Sequence, residues 1–148
     1  MPGWPASDFP SLTPDSYTPT SPVDFRYNCI AWAAGDQSRR WWPDLMGIGY
    51  WPPGAPREET VPAFVAAFAM QGYEVCNSGQ PEPGLEKIAI YAVRDSGLLA
   101  PTHAARQLNN GNWTSKLGDF DDIEHAECDS LNGPIYGSVV VYMRRVRT

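Results

Sequence analysis

A nucleophilic centre in this chain would draw on very few residues. There are three cysteines, Cys29, Cys76 and Cys128, and two histidines, His103 and His125. Cys29 follows Asn28, a good N-cap residue, and heads the run CIAWAAG, which reads as a helix. The positive end of a helix dipole favours a thiolate there, and the thiolate is the nucleophilic form. Such a cysteine needs a base that removes its proton and later returns it to the leaving group. Histidine does both near neutral pH. His103 lies just past the best strand signal in the chain, so Cys29 and His103 form the candidate dyad. The competing reading is a small buried cysteine capping a core helix and a histidine bonded to backbone at a strand edge. Cys76 and Cys128 have neither a helix start nor a nearby base and read as structural.

A third polar group must orient the imidazole. Asn110-Gly111 separates two extended segments, THAARQL and WTSKLG, and reads as a type I′ hairpin turn, which needs positive φ at both central residues. With those two residues as the turn's centre, Asn109 opposes Asn112 and His103 opposes Gly118. Thr114 and Lys116 then share the face of His103, and Ser115 takes the other; a slip of one residue reverses this. Thr114, Ser115, Lys116, Asp119 and His125 are the candidates for the third position, with Ser115 put forward. Asn28 is expected to cap the helix or to support an oxyanion beside the Cys29 N–H. Lys116 would hold a substrate carboxylate. In the loop WWPDLMGIGYWPPGAP, Trp41, Trp42 and Trp51, with Tyr50, would wall a cleft and stack on sugars or peptides. His125 with Asp122 and Glu124 in DIEH is weak metal chemistry and reads as a solvated acidic loop. No metal or other cofactor is expected.

The elements that must position these groups follow from pattern. Residues 1–25 hold six prolines interleaved with Ser, Thr and Asp, so they form an extended Pro-rich arm rather than helix or central strand. Trp4, Phe9 and Tyr17 are expected to dock it on a single domain spanning 26–148. Gly35 weakens the first helix. Thr60 caps a second, VPAFVAAFAMQ, with Pro62 in the tolerated first turn and Gly72 as its stop. Residues 73–76 form a short strand. KIAIYAV, residues 87–93, is apolar at nearly every position, which predicts burial on both faces. Residues 94–101 read as a loop, 119–134 as an acidic irregular stretch, and YGSVVVYMRRV as a final strand. Helices first and antiparallel strands afterwards predict the α+β class, with N-terminal helices packed on a small antiparallel sheet.

Composition narrows the function classes. The chain has 148 residues, enough for one core, and a net charge of −6, which argues against generic nucleic-acid binding. Six Trp and fifteen Pro imply irregular segments held by aromatic packing. No apolar run approaches the roughly 20 residues of a membrane span. The first residues lack the basic and apolar regions of a secretory signal. The default compartment is then a reducing cytoplasm with free thiols, signal-independent export aside.

The order of parts resembles the papain-like cysteine hydrolases, particularly bacterial cell-wall endopeptidases and amidases. The resemblance rests on NCIAWAAG, on EKIAIYA followed by THAARQLNNGN, and on WTSKLG where the third residue would fall. It implies a papain-like fold and a peptide or peptidoglycan-like substrate. The chain is also similar to a bacterial family of uncharacterised domains in YNCIAWAAGD, in HAARQL with WTSKLG, and in DIEH. Two functions are expected. One is a Cys-His hydrolase of peptidase or amidase type, acting through an acyl-enzyme on an amide or thioester. The other is a non-catalytic binding or immunity-type module whose acidic surface meets a basic protein partner.

Overall fold

The computed structural model of the chain describes residues 8–13, 16–21, 24–117 and 122–147. Its centre is the apolar segment already singled out. Strand β3 (Leu85–Asp95) is buried along most of its length, so each face of the sheet carries a core of its own. Around it, β1 (Tyr17–Ser21), β2 (Glu74–Cys76), β4 (Leu98–Gln107), β5 (Trp113–Lys116), β6 (Asp122–His125) and β7 (Ser138–Val146) complete one seven-stranded sheet. The order is β1-β6-β5-β4-β3-β7-β2, and every neighbouring pair is antiparallel.

The helices are short. Asn28 caps α1 (Cys29–Ala34), and Gly35, with φ 85°, turns the chain left-handed after six residues. Thr60 caps α2 (Val61–Ala69), which has Pro62 in its first turn. The expected α+β arrangement of helices on a small sheet is therefore corrected: the fold is mainly an antiparallel sheet carrying two small helices on one face. The extra strand content comes from segments read as loop. Residues 94–101 continue β3 into β4 through Ser96 (φ 53°) and Gly97 (φ 84°), with Asp95 opposite Leu98. That pair of positive φ values is the two-residue turn expected further on. The acidic stretch contains β6 and a 3-10 turn, Cys128–Leu131. From the arm, β1 pairs with β6, with Tyr17 opposite His125; a strand carrying Pro19 is tolerated at that sheet edge.

One face, the helix face, packs Ile88, Ile90, Ala104 and Met143 against Ile30, Phe64 and Phe68. The other, the arm face, packs Ala89, Tyr91, Ala105, Trp113 and Ile123 against Phe9, Leu131 and Tyr136. Trp4 lies outside the described residues.

The β4–β5 connection sets which side chains share a face. Arg106 pairs with Thr114 and Gln107 with Trp113, one residue away from the expected register. The Leu108 N–H donates to the Asn112 carbonyl, enclosing a three-residue loop in which Gly111 takes φ 88°. Ser96 is the only described non-glycine with positive φ, so Asn110 does not adopt the geometry of a type I′ turn. The slip moves Ser115 onto the face of His103 and sends Thr114 and Lys116 to the helix face.

Candidate functional site

Cys29 opens α1 and is only 7% exposed. Its Sγ donates weakly to the Thr102 carbonyl at 3.8 Å. Burial pushes the thiol up to about 11, against the smaller pull of nearby backbone N–H groups. Desolvation of a thiolate thus outweighs the end of a helix six residues long. The expected activation of Cys29 is reversed.

His103 sits within β4, opposite Tyr91. Tyr91 and Ala105 belong to the arm face, whereas Ala104 packs with Cys29 on the helix face. Alternation along β4 therefore places His103 and Cys29 on opposite sides of the sheet. The His103 ring lies flat on Tyr136, with centroids 4.1 Å apart and planes at 11°, and meets Tyr91 at a steep angle, centroids 5.2 Å apart. It is 0% exposed, and neither ring nitrogen has a hydrogen-bond partner among the described residues. Burial holds its pKa well below the usual imidazole value, with the nearby His125 adding to the effect. The expected Cys29–His103 dyad is not assembled, because the sheet stands between the two side chains.

Ser115 does find a histidine, the other one. Its Oγ lies 2.8 Å from His125 Nε2, and His125 Nδ1 lies 2.8 Å from the Glu127 carbonyl oxygen. A carbonyl only accepts, so Nδ1 carries the proton and Nε2 accepts the Ser115 hydroxyl. This pairs a hydroxyl with a base, but Ser115 and His125 are 0% and 1% exposed. Burial lowers the His125 pKa to about 4. A hollow of about 450 Å³, lined by residues that include Trp113, Glu127, Asp129 and Tyr142, reaches neither side chain. DIEH is a buried strand end rather than the expected solvated loop, and no metal-holding cluster exists among the described residues. Asp119 lies outside the described residues.

On the helix face, Thr114 Oγ1 accepts the Trp32 indole N–H at 3.0 Å. Lys116 is buried, with Nζ 3.8 Å from Asp122 Oδ1 and 5.0 Å from the centre of the Tyr27 ring. The Tyr27 hydroxyl donates to Asp122 Oδ2 at 2.7 Å. Lys116 is thus a buried charge with a buried counter-charge, not a hook for substrate. Asn28 is occupied as well. Its Oδ1 accepts from the Ala31 and Trp41 N–H groups at 3.1 and 3.0 Å, and its Nδ2 donates to the Trp41 carbonyl at 2.7 Å. It caps α1 and ties the tryptophan loop to it, which corrects the oxyanion assignment.

The tryptophans expected to wall a cleft are packing residues. Trp41 and Trp51 are buried, and their indole N–H groups donate to Asp36 and to the Pro56 carbonyl. Trp42 and Trp51 both pack on Phe64. What this loop exposes instead is apolar: Leu45, Met46 and Ile48 are 88%, 83% and 87% exposed. Asp44 accepts the Ile48 and Gly49 N–H groups, and Arg57 donates to the Asp44 and Gly49 carbonyls, both at 2.6 Å. Those bonds hold the loop's turn, so the apolar tip is presented on a fixed base. The position of Leu45, Met46 and Ile48 between Trp41–Trp42 and Tyr50–Trp51 was its only signal in the sequence. Arg106, half-buried near Trp32, carried no signal at all, since a strand arginine reads as ordinary surface.

No curated protein and no solved structure matches the chain. The family model described as a domain of unknown function, DUF7689, matches residues 18–144. That span includes both helices, β2 to β6, most of β1 and β7, and each of the polar clusters just described. The chain belongs to the DUF7689 family.

Proposed function

We propose that this protein is a non-catalytic binding module that meets a basic partner protein, with the Leu45–Met46–Ile48 tip as its apolar contact. The observation that carries this reading is the separation of Cys29 from His103 by the sheet. A hydrolase of the expected kind needs both groups at one reacting atom. The hydroxyl–imidazole pair that does form is sealed from solvent. The choice of a basic partner is supported by the net charge of −6 and by Glu58 and Glu59, exposed next to Arg57 at the base of the tip. A fixed apolar tip with acidic neighbours suits a pocket whose rim is basic.

Two measurements test this. With a chloroacetamide probe at pH 7, Cys29 is expected to react no faster than half-exposed Cys76, and His103→Ala is expected not to slow it. Selective labelling of Cys29 that depends on His103 would restore the hydrolase. For the surface, a photo-crosslinker at position 46 in the producing cells is expected to trap a basic protein. Charge reversal of Glu58 and Glu59, or high salt, should abolish the crosslink, and the same crosslinker at position 95 should not form it. An acidic partner, or crosslinks indifferent to these changes, would overturn the proposed surface.

A further inference from the structure

Both of the chain's histidines, His103 and His125, lie on the arm face. Trp113 and Ile123 belong to the core on that face, and Trp113 stands opposite His125, so His125 shares it. On its other side His125 is flanked by β1, with Tyr17 opposite it. Phe9 packs on Tyr136, ring centroids 5.2 Å apart, and Tyr136 in turn lies flat on His103. Phe9, Leu12 and Tyr17 all pack into the same cluster. The arm thus borders one histidine directly and reaches the other through a single tyrosine.

Neither ring is placed to hold a second proton. A charged His103 would carry two N–H donors where neither nitrogen has an acceptor among the described residues. Protonating His125 at Nε2 takes the acceptor away from the buried Ser115 hydroxyl. Neither ring forms an ion pair among the described residues. The carboxylate felt at His125 is that of Glu124, and the side-chain amides of Asn110 and Asn112 hold it. Those of Glu127 and Asp129 belong to exposed residues. The charge felt at His103 is that of His125. The remaining titratable groups of the cluster are Tyr17, Tyr91, Tyr136, Tyr142 and Cys128, which offer no carboxylate.

Strand β1 is also the least anchored strand beside them. It has five residues, pairs on one side only, and shifts register between Pro19 and Ser21. Pro19 has no N–H to give, and Thr18, Pro19 and Thr20 are exposed. An edge of this kind opens at lower free energy than a central strand.

We infer that β1 and the Phe9 contact form an acid-released strap: protonation of His125, followed by His103, detaches them from β6 and Tyr136 while the rest of the sheet stays paired. An imidazole freed to solvent titrates near pH 6.5. Below that value each freed histidine favours the released state about tenfold per pH unit. From pH 7 to pH 5 the gain is about 25-fold for His125 alone and several hundredfold, in rough terms, for both rings. What acid uncovers is the outer edge of β6, a strand edge open to pairing. The Leu45–Met46–Ile48 tip lies in a different segment, and its proposed partner does not enter this inference.

The experiment is residue-resolved amide hydrogen exchange by NMR on the full chain at pH 7, 6 and 5, corrected for the intrinsic pH dependence of exchange. The amides bonded between β1 and β6 are expected to lose about 25-fold or more of their protection from pH 7 to pH 5. Those of β3 are expected to lose much less. His125→Gln keeps an acceptor for Ser115 and a donor for the Glu127 carbonyl, and should make the β1–β6 fall about 25-fold smaller. An equal loss of protection in β1, β6 and β3 would mean global unfolding and overturn the strap. Unchanged β1–β6 protection, or the same fall in His125→Gln, would overturn it as well. Should that variant fail to fold, the contrast between β1–β6 and β3 in the wild-type chain still decides the matter.

Discussion

Two polar clusters on opposite faces of the sheet handle burial in opposite ways, and β5 contributes to both. From its four residues, Lys116 enters the helix face and Ser115 the arm face. In the helix-face cluster the groups are charged and matched: Lys116 faces Asp122, and Asp122 accepts the Tyr27 hydroxyl. In the arm-face cluster they are neutral. Ser115, His125 and the Glu127 carbonyl form a short chain, while His103 relies on ring stacking against Tyr136. The difference follows from what each group can give up. A buried ammonium must keep a counter-charge, because isolating it costs more than a fold can supply. An imidazole can shed its proton and pack as an aromatic ring.

That contrast can be broken from either side. The largest effect is expected on the helix face. Asp122→Ala leaves Lys116 charged and buried, and removes the acceptor of Tyr27. A loss of about 3–5 kcal/mol is expected in urea unfolding. Lys116→Met in the same background should recover much of it; no recovery would mean that the charge was not the cause.

The arm face should answer to acid instead. Burial lowers the folded-state pKa of His125 to about 4, while the unfolded side chain titrates near 6.5. Between those values the unfolded chain binds the proton and the folded chain does not. Stability is therefore complete above about pH 6.5 and falls as pH drops toward 4, by about 3 kcal/mol from His125 alone. His103 is shifted in the same direction and adds to the loss. His103→Phe should make the fall shallower, as read from thermal unfolding between those pH values. A stability profile that is flat there would show the histidines to be solvated.

The smallest effect sharpens the role of Asn28. Removing its side chain with Asn28→Ala frees the first turn of α1 and the Trp41 backbone together. A loss of about 1–2 kcal/mol is expected, read as a lower melting temperature. Asn28→Asp keeps the oxygen that caps Ala31 and accepts from Trp41, so it should lose less.

How far the chain could be read in advance depended on how local each signal was. The caps at Asn28 and Thr60 and the double burial of β3 were legible because each rests on neighbours within a few residues. The class was not, because residues 94–101 and the acidic stretch become strands only by pairing with distant partners. The tryptophans misled for a related reason. Their number announced aromatic packing, but only the position of α2 seated Trp51 on Phe64, and only the bonds to Asn28 fixed Trp41 beside α1.

The candidate site failed because Cys29 and His103 take opposite faces of the sheet, and a single residue of register re-sorted the candidates for its third position. Alternation along β5 already required Ser115 and Lys116 to face opposite ways, and adjacent residues His103 and Ala104 likewise. Which of them would share a side was left to the turn, and a three-residue loop at Asn109–Gly111 in place of the two-residue turn exchanged the faces. The sequence alone determined the nucleophile-like cysteine at a helix start, the apolar central strand and the parity of each side chain. Only the tertiary structure decided that Cys29 and His103 lie across a sheet from each other, because parity is a property of one strand whereas a shared face is a property of two.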